Sequence, residues 1–243
     1  MFHFVGHKKV ILWLAGWPII LLMCSKNWRG NICDVRTDSL DGAAHSLIWE
    51  LQEKEIEQLI HHICSLYGLS GYDASLVIGG PLLKLDSLDL PVQARKEAQA
   101  VLQNTYHFAK KHNAYDIDFA GPGEDGAFKW VLASYPQDRI QTVIDAFRSE
   151  RVSIQTIDIV PALVSRLFPL VEGTLSLADG TGCHDCFLKG GNVSGYIWTP
   201  SDPYSSDAFP LDQNLERTPI PIYQRVISRW ELRYPAAWLT ALL

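Results

Sequence analysis

The chain has 243 residues, 47% hydrophobic and 20% charged, with 21 Lys and Arg against 27 Asp and Glu. That length suits one large domain or two small ones, and the apolar content with a net charge of only −6 excludes intrinsic disorder. No basic excess exists to neutralise phosphates, which speaks against nucleic acid as a partner, and no stretch reaches the roughly 20 apolar residues of a bilayer-spanning helix.

Val10 to Cys24 is the most apolar stretch, preceded by His7-Lys8-Lys9 and interrupted by Gly16-Trp17-Pro18. Two readings compete for it. Val10–Ala15 and Ile19–Cys24 have strand length and flank a turn, which predicts two buried strands. The basic-then-apolar order, ending in Leu21-Leu22-Met23-Cys24, is also that of a secretory signal or lipid anchor. No small-x-small cleavage pattern follows, so the strands are the expectation adopted.

Residues 31–36 suit a third strand. Ile56, Leu59, Ile60, Ile63, Leu66 and Tyr67 recur at helical spacing, and Gly68 sits where helices stop. Ser75–Ile78 reads as a short buried strand ended by Gly79-Gly80-Pro81. Leu83–Leu90 reads as a strand closed by Pro91. Ala94, Ala98, Val101, Leu102, Thr105 and Tyr106 form a helical face. Tyr115, Ile117 and Phe119 alternate with Asp116 and Asp118, the pattern of a half-buried strand. Residues 127–134 suit another strand. Pro136 opens a helix whose buried face is Ile140, Val143, Ile144 and Phe147. Val152–Ile157 is again a strand. The order over 84–158 is β-α-β-β-α-β, the order of a split βαβ unit, and predicts a small inserted subdomain.

Pro161–Phe168 then suits a short helix and Thr174–Ala178 a strand ending in Asp179-Gly180-Thr181-Gly182. Residues 183–188 and 193–198 read as a hairpin around Gly190-Gly191-Asn192. Residues 199–221 are rich in Pro, Ser and Asp and read as a linker. A last helix carries Ile222, Val226, Ile227 and Trp230. Trp230, Tyr234, Trp238 and Leu242 step by four beside three arginines, a face suited to a partner or membrane surface, though Pro235 interrupts it.

Several pairs invite a chemical reading and do not sustain one. Five cysteines do not make a disulfide framework, so a reducing compartment is the default. Cys183-His184-Asp185-Cys186 lacks the second ligand pair of a zinc site, and strand alternation would point Cys183 and Cys186 to opposite faces. His61 and His62 are adjacent on a helix and do not share a face. Asp116 and Asp118 do share a strand face, where a carboxylate pair could bind a metal or move a proton, but no third group accompanies them and a solvated face suffices. Glu124-Asp125 reads as a loop tip.

Phrases in order along the chain resemble the PilM family of type IV pilus assembly proteins and the related cytoplasmic part of type II secretion L proteins. They are Ala74-Ser75-Leu76-Val77-Ile78-Gly79-Gly80-Pro81, then Leu88-Asp89-Leu90-Pro91, then the helix from Gln93 with Glu97, Ala98 and Ala100. Tyr115-Asp116-Ile117-Asp118-Phe119, Val131-Leu132-Ala133-Ser134 with 138–147, 152–158, 161–167 and 174–182 follow. The resemblance implies an α/β, degenerate actin-like (RNase H-like) fold with an inserted βαββαβ subdomain. Residues 1–83 would open the actin-like domain, 84–158 form the insert, 159–198 return to the main domain, and 199–243 be linker and C-terminal helix.

In such proteins two Gly-containing strand turns cradle nucleotide phosphates, because backbone N–H groups must come close to them, and an aspartate holds the metal. The first turn should fall near residues 10–17, yet no Asp lies between His3 and Asp34. Asp179, Gly180, Thr181 and Gly182 fit a remnant of the second turn, or simply a tight hairpin turn. The sequence after it is short for a second lobe. ATP with magnesium is therefore not expected as a cofactor, and no catalytic or metal residue is assigned.

The resemblance further implies a non-catalytic cytoplasmic scaffold, peripherally associated with the inner membrane. Its partner would be a PilN-like single-pass inner-membrane protein whose N-terminal peptide enters a groove near Leu90-Pro91, Ile117 and Tyr135-Pro136. The pilus assembly ATPase is a further candidate partner. The alternatives are a nucleotide-binding actin-like ATPase, a sugar-kinase-type enzyme and an exported or lipid-anchored envelope protein.

Overall fold

A computed structural model of the chain describes residues 8–16, 18–26, 32–40, 48–105, 112–169, 172–178 and 181–200. The C-terminal helix, Asp179 and Gly180 lie outside the described residues.

The apolar N-terminal stretch forms β1 (Lys8–Trp13) and β2 (Ile19–Lys26), paired antiparallel, and β3 (Ile32–Leu40) follows on β2. The chain crosses through α1 (Glu53–Tyr67) to β4 (Asp73–Ile78), which pairs parallel to β1. Burial explains why β1 reads as a continuous apolar run: its two faces are both covered. Val10 and Leu12 point to one side, with Ile56, Ile60 and Ile63 of α1. Ile11 and Trp13 point to the other. The Glu55 side chain accepts the Gln52 N–H at 2.6 Å at the start of α1, and Gly68 ends it in the left-handed region at φ 62°. Leu66, expected on the buried face, is 56% exposed and overhangs an open cleft above residues of β2 and β3.

After β4 come β5 (Lys84–Leu90), α2 (Arg95–Thr105), β6 (Asn113–Pro122) and β7 (Phe128–Pro136). Then follow α3 (Gln137–Ser149) and β8 (Ser153–Ile159). The element order over 84–158 is as read from the sequence, but its partition is different. β5, β7 and β6 make a separate three-stranded sheet, backed by Ala98 and Leu102 of α2. β8 instead pairs parallel to β4 and ends the five-stranded sheet β3-β2-β1-β4-β8. Val143, Ala146 and Phe147 of α3 pack into the same core as α1. The insert is therefore β5-α2-β6-β7, and the expected boundary at residue 158 moves back to β7. The physical reason is that β8 finds its parallel neighbour, β4, only in the main sheet.

The opposite face of the main sheet is covered by α4 (Val160–Leu167) and a second antiparallel sheet of β9 (Gly173–Ala178), β10 (Gly182–Lys189) and β11 (Asn192–Pro200), in the order β11-β10-β9. Val160, Leu163 and Val164 join Leu175, Leu177, Cys186 and Leu188 against Ile11, Trp13 and Leu22. β10 alternates as expected, with His184 and Cys186 buried and Cys183 and Asp185 half-buried.

Candidate functional site: an aromatic cleft and an inter-subdomain groove

The β1–β2 turn, the end of β4 and the start of β10 meet where the sequence reading places the two phosphate turns. Leu14 and Ala15 of the first turn are buried, and the Leu14 N–H donates to the Val77 carbonyl at 2.8 Å. A Cβ on Gly79 would lie 2.9 Å from Val160 Cγ2, 3.1 Å from Ala15 Cβ and 3.2 Å from His184 Cε1. Gly80, at φ 84°, lies against the Trp49 ring. Its N–H donates to Tyr196 Oη at 2.7 Å, and that hydroxyl lies 2.8 Å from His184 Nδ1. His184 is fully buried and meets Trp13 edge to face at 6.0 Å.

Gly182 is where a Cβ would fall 2.7 Å from the Trp198 ring, and Trp198 meets Trp49 edge to face at 6.4 Å. Both indole N–H groups are buried with no hydrogen-bond acceptor. The glycines at this junction thus admit aromatic rings rather than phosphates. No carboxylate stands among these cleft residues, and among the described residues no three His, Cys, Asp or Glu side chains gather as metal ligands. Among the described residues this lining offers no carboxylate to a magnesium ion, which takes oxygen ligands. Of the four residues read as a phosphate-turn remnant, Thr181 and Gly182 lead into β10 and the other two are not described.

A second feature is an open groove of about 270 Å³ between the inserted sheet and the main domain. Register makes its floor: Leu85 and Asp116 oppose Ala133, and Asp118 opposes Val131, so these side chains share one face. The other face of the same sheet carries Ile117, Leu132 and Trp130 into the insert's core. Ile157 and Ile159 of β8 and Ala162 of α4 form the facing wall, and Asn192 and Val193 of β11 close one end. Arg95 bridges both oxygens of Asp116 at 2.5 and 2.7 Å. Arg166 pairs with Asp158 on the opposite wall. Asp118 accepts the Phe119 amide at 2.9 Å and leaves three carboxylates against two guanidiniums in the lining.

The groove residues expected from the sequence are scattered. Ile117 borders the groove while its side chain is buried. Leu90 sits in the insert's core at 2% exposure, and Pro91 is exposed just beyond it. Tyr135 is buried beside Ile78 and Leu83, where burial pushes its hydroxyl pKa up, and Pro136 precedes α3. Asp116 and Asp118, read as a solvated strand face, are the residues that line it. Their shared face was legible; the wall opposite them was not, since β8 and α4 arrive from about 40 residues away.

The fold is actin-like α/β. No known family's sequence model matches the chain, and no curated protein matches it. Among solved structures it is similar to the PilM-PilN type IV pilus biogenesis complex, at TM-score 0.57 and 14% identity, over 81% of this chain and 62% of that one. The chain thus spans less than two thirds of that protein's length. It is also similar to the cytoplasmic domain of EpsL, an inner-membrane component of the type II secretion system of Vibrio cholerae. There the TM-score is 0.47 and the identity 10%, over 79% of this chain and 71% of that one. Among the described residues no helix is long and apolar enough to cross a membrane.

Proposed function

We propose that this chain is a non-catalytic scaffold of type IV pilus or type II secretion assembly, which holds an extended N-terminal peptide of a PilN-like inner-membrane protein in the groove between the inserted sheet and α4. The observation that carries the reading is that groove, set in a fold similar to that of a PilM solved with PilN. An extended peptide laid there would place alternate side chains on the apolar floor of Leu85, Val131 and Ala133. The excess carboxylate at Asp118 suits a peptide that brings a positive charge, such as its own terminal ammonium. Such a partner would hold the chain peripherally at the cytoplasmic side of the inner membrane, and the assembly ATPase would be a second contact. The aromatic filling of the cleft accords with a scaffold that has given up nucleotide chemistry.

The test is titration of the chain with a synthetic peptide of the partner's first residues. Binding at micromolar affinity is expected, with Ala133→Arg weakening it at least tenfold by filling the floor, and Tyr135→Phe leaving it unchanged. No binding, or undiminished binding by Ala133→Arg, would overturn the assignment.

A further inference from the structure

β3 is unlike the other strands of the main sheet. It is nine residues long and ends the sheet order, and among the described residues no strand pairs with its outer edge. Its backbone groups on that side form a template for another strand. It is also exposed on both faces: Asp34, Val35, Arg36, Asp38 and Ser39 are all at the surface. α1 stops short of it, leaving an open cleft above Asp34, Arg36 and Asp38 that Leu66 overhangs. Pairing with Ser25, Met23 and Leu21 puts those three charged residues on one face, while Val35, 46% exposed, lies on the other.

We propose that β3 pairs antiparallel with β3 of a second copy of this chain, about a two-fold axis through Val35. The charge order along one face is minus, plus, minus, and only certain registers suit it. Centring on Val35 sets Asp34 opposite Arg36 of the second copy, twice by symmetry, and joins the two exposed valines on the other face. Opposed unlike charges and paired β-branched residues both favour that register. Centring one residue further, on Arg36, would set Arg36 against Arg36 and Asp34 against Asp38, like charges throughout. Each Arg36 already lies 3.1 Å from its own Asp34, so the guanidinium needs little movement to reach across. The contact is isologous and closes on itself. β8, which borders the groove, is at the other end of the sheet order, so both grooves stay open in the dimer.

Sedimentation equilibrium of the full chain at low salt tests this. The expected result is a monomer–dimer equilibrium that salt weakens. Arg36→Asp and Asp34→Arg alone are each expected to weaken dimerisation at least tenfold, because each sets like charges opposite one another. Mixed together, the two variants restore every Asp–Arg pair and are expected to associate like the unaltered chain. Both sites are exposed, and circular dichroism checks that each variant keeps its fold. A chain that stays monomeric at every concentration would overturn the proposal and leave the edge to a different protein. So would an Asp34→Arg variant that dimerises undiminished, which would mark a register centred elsewhere, or a mixture that fails to associate.

Discussion

Gly80 carries more of the architecture than its size suggests. Its φ of 84° is one that side chains rarely adopt, and a Cβ there would overlap the Trp49 ring. Gly126, in the β6–β7 loop at φ 80°, meets nothing within 4 Å. The pair separates backbone strain from steric overlap. Gly126→Ala is expected to cost about 1 kcal/mol for the conformation alone. Gly80→Ala is expected to cost about 3 kcal/mol or more, because the ring must also move and the Gly80–Tyr196 hydrogen bond with it. Urea unfolding midpoints measure both, and equal losses would show that the Trp49 contact counts for nothing. From the sequence, Gly79-Gly80-Pro81 was legible as a strand end. That the Trp49 ring lies against it was not, since that ring is not near it in the chain and aromatic contacts carry no spacing signal.

At the scale of elements, the insert has a core of its own: Leu90, Ala98, Leu102, Ile117, Trp130 and Leu132 form a cluster distinct from those of the main sheet. Leu102 is fully buried there, and Trp130 anchors the β5–α2 connection through an indole N–H donated to the Val92 carbonyl at 3.0 Å. Leu102→Ala is expected to destabilise this unit by about 2–5 kcal/mol. Because the clusters are separate, hydrogen exchange should quicken in β6 and β7 while amides of β1 and β4 keep their protection. Equal loss in both sheets would mean that insert and main domain unfold as one. Strand and helix identities were legible along this stretch from alternation and helical spacing. Sheet membership was not: β7 and β8 both read as apolar strands after short connections, and only long-range pairing with β4 sends β8 elsewhere.

On the scale of the whole molecule, the central strands of the main sheet are covered on both faces, and each covering layer hides an ionisable group that the unfolded chain would expose. Burial raises the Cys64 thiol from 9.0 to about 12, and it also raises Cys186 on the far side of the sheet and Tyr135 of the inserted sheet. These are neutral acids held protonated by the fold. Above pH 9.0 the unfolded chain begins to lose protons that the folded one keeps until about 12 at Cys64, so this group's contribution to stability falls as pH rises through that window and is level below it. Urea midpoints are expected to be level from pH 7 to 8.5 and to drop by pH 10.5. Cys64→Ala should lessen the drop, and a midpoint that holds at high pH would contradict the burial of these groups. The order of assembly is also written in the sheet. Among the described strands β1 and β2 come first, yet β1 is completed by β4 and the sheet by β8, which ends at Ile159. At roughly 5–20 residues per second of synthesis, the hairpin waits on the order of ten seconds on the ribosome before its last neighbour emerges. For that interval the chain trails an uncovered apolar segment headed by Lys8 and Lys9, the kind of segment that chaperones and targeting factors both bind as it leaves the exit tunnel.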